Sequence, residues 1–314
     1  MARIVAETRP VQSVTLLEPF RALFYAPFYL AEARGAFARQ GLEVRFETAG
    51  TPDAAAARLL AGEADLAWSG PMRPMLMRSQ DPACTLRSFC AVVMKDPFLL
   101  AAAAPPPAGG FALAGLRGRR LGLVAEVPTP VWCLDDDLRR AGLDPERDID
   151  RRRGPGMGEN AEAVLAGELD IAQLFEPFAC RVEDGGGTVW HAQASRGPTA
   201  YTAFYATEAM LRDRRDALRG MVRAMAEALD WMRTATPGAI AATIAPRFAE
   251  VPSSHRVRAM DRYQRLGIWP ATPRFPRDAL ERLAGAMISS GVMAHMPPFE
   301  DCVDTAIEDE ALAA

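Results

Sequence analysis

The octapeptide Leu60-Ala61-Gly62-Glu63-Ala64-Asp65-Leu66-Ala67 returns 105 residues later as Leu165-Ala166-Gly167-Glu168-Leu169-Asp170-Ile171-Ala172, with six of the eight positions identical. Each copy closes an Ala-rich stretch (54–61 and 159–166), turns at a glycine and enters a short apolar run. A helix, a glycine in the left-handed conformation after its end and then a buried strand are the expected outcome, twice. Each strand runs into a loop of specialised residues: Trp68-Ser69-Gly70-Pro71 after the first, Leu174-Phe175-Glu176-Pro177 after the second. Open parallel α/β sheets bind ligands outside the carboxyl ends of their strands. The duplication therefore predicts two similar lobes whose loops face one cleft.

The length of 314 residues suits two α/β lobes better than one core. A net charge of −4 lacks the basic face that a nucleic-acid partner requires. Residues 1–14 hold Arg3, Glu7, Arg9 and Pro10 and no apolar signal core, so the expectation is a cytoplasmic chain as written, or a periplasmic one whose leader was removed. The five cysteines form no CxxC pair and read as reduced structural thiols. The three histidines stand apart from one another and from carboxylates at metal-ligand spacing, so neither a metal nor a cofactor is expected.

Along the chain, strands are expected at 11–17, 42–48, 65–68, 86–94, 120–125 and 149–153, alternating with helices such as 26–39, 72–80 and 131–141. Thr51 with Pro52 supplies a helix start. The run Ala101 to Gly110, with three prolines and two glycines, reads as the exit into the second lobe. Residues 200–207 read as the returning strand, and four helices follow at 208–233, 237–245, 254–266 and 276–290. The expected architecture is α/β, with residues 1–100 and 206–314 forming the first lobe and 101–205 the second, each lobe a mainly parallel sheet flanked by helices.

The segment Phe24-Tyr25-Ala26-Pro27-Phe28-Tyr29-Leu30-Ala31-Glu32-Ala33-Arg34-Gly35-Ala36-Phe37, followed by Gly41-Leu42-Glu43-Val44, resembles the opening of the type II periplasmic solute-binding proteins. The likeness is greatest to the members serving sulfonate, nitrate and thiamine-precursor importers, a group that includes the thiamine pyrimidine synthases. The repeat turn, Gly115-Leu116-Arg117-Gly118-Arg119-Arg120-Leu121-Gly122 and Phe175-Glu176-Pro177-Phe178 match in order, over most of residues 12–235. The resemblance implies a bilobal clamshell with two crossover strands. It also implies a ligand-recognition role for position 176.

Candidate ligand contacts follow from loop position. After the first strand come Glu18, Phe20, Arg21, Phe24 and Tyr25; the aromatics suit a flat ligand and Arg21 a carboxylate, sulfonate or phosphate. Phe24 reads equally well as helix core. Trp68, Ser69 and Gly70 precede a helix opened by Met72 and Arg73, whose free N–H groups favour an anion, while Trp68 alternatively packs the sheet's end. Glu126 and Thr129 occupy the mirrored loop of the second lobe. Met157 lies in the Gly154–Gly158 turn, where Arg151 to Arg153 suggest a weak phosphate cradle or a solvated surface. Tyr201 opens the returning strand. Glu176 is the sharpest candidate, pairing with an amino group or ring N–H of a heterocycle; capping the helix after Pro177 is the alternative. In the first role its replacement by alanine costs about 1–3 kcal/mol of binding.

The leading functional expectation is a monomeric solute-binding protein that closes on a small organic ligand and delivers it to an ABC-type permease. The ligand is a pyrimidine or thiamine precursor if Glu18 and Glu176 dominate, and a sulfonate or aromatic acid if Arg21 and Arg73 do. The alternatives are a cytosolic enzyme on the same fold, like the pyrimidine synthases or a desulfinase, and an intracellular ligand sensor. The synthases use a pyridoxal-bearing lysine; Lys95, the one lysine of the chain, is expected at a strand's hinge end outside the cleft.

Overall fold

The computed structural model describes residues 11–154 and 156–313. Residues 1–10, on which the leader expectation rests, and Pro155 of the glycine-rich turn lie outside them.

Two five-stranded sheets share one design. The first holds β1 (Gln12–Glu18), β2 (Leu42–Thr48), β3 (Leu66–Ser69), β4 (Leu86–Val93) and β10 (Thr202–Thr207), in the order β2-β1-β3-β10-β4. The second holds β5 (Leu99–Ala102), β6 (Arg120–Leu123), β7 (Asp150–Arg153), β8 (Ile171–Leu174) and β9 (Thr188–Ala192), in the order β7-β6-β8-β5-β9. In each sheet one strand, β10 or β5, runs antiparallel to both neighbours, and the others run together. That strand is the one that has just crossed from the other lobe.

The repeat explains the matching order. Its copies end α3 (Pro52–Leu60) and α6 (Met157–Leu165), turn at Gly62 (φ +72°) and Gly167 (φ +75°), and enter the central strands β3 and β8. Its aspartates do identical work. The Asp65 carboxylate accepts the Thr15 N–H of β1 at 2.6 Å, and Asp170 accepts the Arg120 N–H of β6 at 2.7 Å. The Asp65 and Asp170 N–H groups donate back to the carbonyls of Thr15 and Arg120. Each pair spans 50 residues and pins the register of a parallel strand that no hairpin fixes.

Around the first sheet lie α1 (Ala26–Ala33), α2 (Ala36–Arg39) and α4 (Met72–Gln80); α5 (Thr129–Arg140) and α7 (Phe178–Asp184) join α6 on the second. The helix expected over 26–39 is broken because Gly35 adopts φ +69°. After β10 come α8 (Glu208–Asp213), α9 (Arg215–Thr234), α10 (Pro237–Ile244), α11 (Ser253–Leu266), α12 (Arg277–Ser289), α13 (Phe299–Cys302) and α14 (Ala306–Leu312). The apolar stripe of α9 packs on α1, α2 and α14 of the first lobe. α12 departs from this pattern: it lies on α5 of the second lobe, and its Ala279 carbonyl accepts the Ala200 N–H beside the returning strand.

The outward crossing falls earlier than the composition break suggests. β5 already pairs with β8 and β9 from Leu99 onward, so the chain changes sheets between Val93 and Leu99, and the prolines follow in a surface loop. Leu99-Leu100-Ala101-Ala102 is too short and uniformly apolar to stand out from the strand before it. β10 belongs to the first sheet from Thr202, ahead of the expected boundary at 205.

Candidate ligand cleft

Four loops at carboxyl ends of parallel strands converge between the lobes: those after β1, β3, β6 and β8. They line two adjoining chambers. The inner one, about 40 Å³, is lined by Phe24, Tyr25, Ser69, Gly70, Arg73, Thr129 and Tyr201, with Met72, Phe98 and the Val127–Pro130 loop. The outer one, about 410 Å³, takes Arg21, Glu126, Met157, Phe175, Glu176, Phe178 and Arg181, with the 248–251 loop ahead of α11. Phe20 and Pro52 border both.

Two sequence candidates are not in the lining. Glu18 is buried under the first loop, where its carboxylate accepts bonds from the Tyr29 hydroxyl (2.9 Å), the Thr48 hydroxyl (2.8 Å) and Arg21 Nε (3.3 Å). Trp68 is fully buried and stacks on Phe28, with centroids 4.2 Å apart and planes inclined by 6°. It packs the end of the sheet beneath the cleft, the alternative its strand position left open.

Glu176 borders the outer chamber, yet its carboxylate serves the protein itself. Oε2 accepts the Cys180 N–H at 3.0 Å, in the first turn of α7, and Oε1 lies 2.9 Å from Arg262 Nη1, off the hydrogen-bonding direction. Its backbone N–H donates to the Tyr263 hydroxyl at 3.0 Å. Burial pushes the Glu176 carboxyl above its usual range, and Arg262 opposes that shift. In this arrangement the carboxylate caps a helix, the alternative its sequence position also offered, and faces an arginine. Glu126 is spent similarly: Oε1 accepts the Met157 N–H at 2.8 Å, at the first residue of α6.

The donors are less committed. Arg73, at the start of α4, forks onto exposed Asp53 through Nη1 at 2.8 Å and Nη2 at 3.1 Å, and its buried Nε is left without a partner. Arg181 extends over the Phe178 ring (5.0 Å) and forms no ion pair among the described residues. Tyr201 presents its ring to the inner chamber and donates its hydroxyl to buried Asp96 at 2.7 Å. Asp96 also accepts the Phe98 N–H at 2.8 Å and contacts Arg196, so one carboxylate ties both crossover segments together. Lys95 is outside both chambers; its Nζ donates to the Leu266 carbonyl at 3.2 Å. Neither chamber is lined by a histidine, cysteine or lysine.

Sequence reasoning missed the Phe248–Val251 wall, which arrives from a loop between C-terminal helices with no local signal of cleft contact. Phe175 and Phe178 stand in the Phe-Glu-Pro-Phe motif, where the carboxylate between them is the more conspicuous group.

Residues 24–238 match the family model described as NMT1/THI5 like. The chain belongs to the NMT1/THI5-like family. YtlA of Bacillus subtilis (strain 168), whose name describes a binding protein, is 25% identical over 301 residues, covering 95% of this chain and 89% of that one. The fold of this NMT1/THI5-like chain is also that of the periplasmic aliphatic sulphonate binding protein SsuA from Escherichia coli, with a TM-score of 0.73, 15% identity and coverage of 94% and 92% of the two chains. The desulfurization enzyme DszB superposes with a TM-score of 0.69 at 14% identity, covering 96% and 99%. These likenesses fix the type II periplasmic-binding-protein fold. No helix among the described residues is long and apolar enough to cross a membrane.

Proposed function

We propose that this chain is the solute-binding protein of an ABC-type importer, and that it closes as a monomer on an organic anion with an apolar, aromatic body. One observation carries the reading. In a cleft built from both lobes, the carboxylates at the floor, Glu18, Glu126 and Glu176, are consumed by backbone N–H groups, hydroxyls and arginines, while Arg73 and Arg181 keep donors to spare. The one lining carboxylate without a partner among the described residues, Glu250, is exposed on the wall of the outer chamber, apart from the inner chamber that holds Arg73 and Ser69. A sulfonate or carboxylate finds Arg73, the Ser69 and Thr129 hydroxyls and the start of α4. The inner chamber has room for a headgroup only; the larger outer one, walled by Phe20, Phe175, Phe178 and Phe248, suits a ring. A sulfonate or aromatic acid is thereby favoured over a pyrimidine precursor.

Native mass spectrometry of the purified protein should reveal a retained organic acid, released unaltered on denaturation; release of a chemically altered product would instead indicate an enzyme. Calorimetry with benzenesulfonate should show binding that Arg73→Ala weakens by about 1.5–3 kcal/mol, the cost of a charge-assisted contact. Binding of a protonated aminopyrimidine in preference to benzenesulfonate would overturn the assignment.

A further inference from the structure

Helix α11 packs on α10 and on the Leu23–Tyr25 turn of the first lobe, whereas α7 covers the second sheet. Along the seam between them, His255, Arg258 and Arg262 share one face of α11, because steps of three and four residues return to the same side of a helix. Opposite stand Glu176, Glu183 and Asp184. His255 and Arg258 both contact the Asp184 carboxylate. Arg258 Nη2 reaches Glu183 at 2.6 Å, and Arg262 bridges Glu183 at 2.6 Å and Glu176 at 2.9 Å.

We propose that this charge ladder is a latch that holds the lobes closed, with Arg258 and Arg262 as positioning residues for the cleft wall at 175–178. The proposal rests on the clamshell reading given above. The ladder runs outward from the hinge. The Leu266 carbonyl, at one end of α11, accepts from Lys95 beside the first crossover, while Ser253 at the other follows the Val251 wall of the outer chamber. Rotation about the crossovers therefore parts the His255–Asp184 end most and the Glu176–Arg262 end least. Exposure is graded the same way: the Asp184 side chain is 51% exposed, that of Glu183 24% and that of Glu176 0%. The outer rungs are thus open to screening by salt, and the innermost pair is not. Beside the ladder the seam is apolar, with Phe24 of the first lobe edge-on to Phe175 of the second at 5.3 Å, so the ladder supplies the salt-sensitive part of the closure.

Small-angle scattering of the full chain without solute tests the latch. At about 0.01 M salt the wild type should be compact, and at about 1 M, where screening acts over roughly 3 Å, it should shift to a larger radius of gyration. Arg258→Gln with Arg262→Gln should be expanded at both salt concentrations. Glu183→Gln with Asp184→Asn breaks the same rungs from the more exposed side, and serves where the arginine pair fails to fold. Arg258→Lys with Arg262→Lys keeps both charges and should stay compact at about 0.01 M salt and expand at about 1 M, which a merely structural role for these side chains does not predict. Variants folded by circular dichroism whose low-salt scattering superimposes on that of the wild type would refute the latch. No solute enters the measurement, so that outcome leaves the mass-spectrometric test of solute binding independent.

Discussion

Glu308 shows how a single side chain can hold a distant segment. It sits on α14 with 1% of its surface exposed, and its two oxygens accept the Cys90 N–H at 2.7 Å and the Phe275 N–H at 2.8 Å. Cys90 has φ +58° within β4, a conformation that costs a non-glycine residue energy and is held by its surroundings. Burial raises the Glu308 carboxyl from its usual 4.5 to about 7, so the folded state binds the proton more tightly than the unfolded one. Its contribution to stability is therefore full below the unfolded value and is lost as pH rises through about 7. Urea unfolding of the wild type and Glu308→Gln at pH 4.5 and pH 8 should show the wild type losing about 1–3 kcal/mol more across that interval. Equal losses would assign the pH dependence to other groups. Nothing in the sequence around position 308 announces this, since both partners lie far away in the chain. Glu176 teaches the converse. Its motif position suggested a ligand contact or a cap on the next helix; the fold shows the cap and adds Arg262, which no local residue announces.

At the scale of elements, the repeat was legible because helix, glycine turn and strand are each written in local residues. Gly62 and Gly167 both need a positive φ, and a methyl group on either Cα would meet no atom within 4 Å, so the cost of a side chain there is conformational alone. Gly62→Ala and Gly167→Ala should each destabilise by about 1–2 kcal/mol, by similar amounts in the two lobes. A large difference in their unfolding midpoints would mean that the two turns are not equivalent. The strands that escaped notice, β5 and β9, are short, and although Asp96-Pro97 and Gly185-Gly186-Gly187 punctuate the chain before them, their identity comes from pairing, β5 with β8 and β9, and β9 with β5. The aspartates of the repeat were in plain view as identical positions. Their clamp on β1 and β6 became visible only with the partner strands in place.

For the whole molecule, two lobes around one cleft were legible from the duplication, and the charge proposed for the ligand was not. The sign of the site depends on which carboxylates the protein keeps for itself, a property of three-dimensional neighbours such as Tyr29, Thr48 and Arg262. A protein that closes over its solute should be stabilised by it through mass action. A hundredfold excess over the dissociation constant contributes roughly 2.7 kcal/mol, read as a higher melting temperature. A retained solute that leaves the melting temperature unchanged when removed and restored would count against closure around it.

The strap formed by α12 limits the form such closure can take. Two covalent crossings, at 94–98 and 193–201, define an axis, and α12 adds a third tether by lying on α5 while its Ala279 carbonyl holds Ala200. Attachments gathered along one edge favour a swing about that edge over a slide or a twist. Opening and shutting then follow mainly that one coordinate, and a substitution on α12 should alter how far the lobes swing while leaving the shape of the solute's seat as it was.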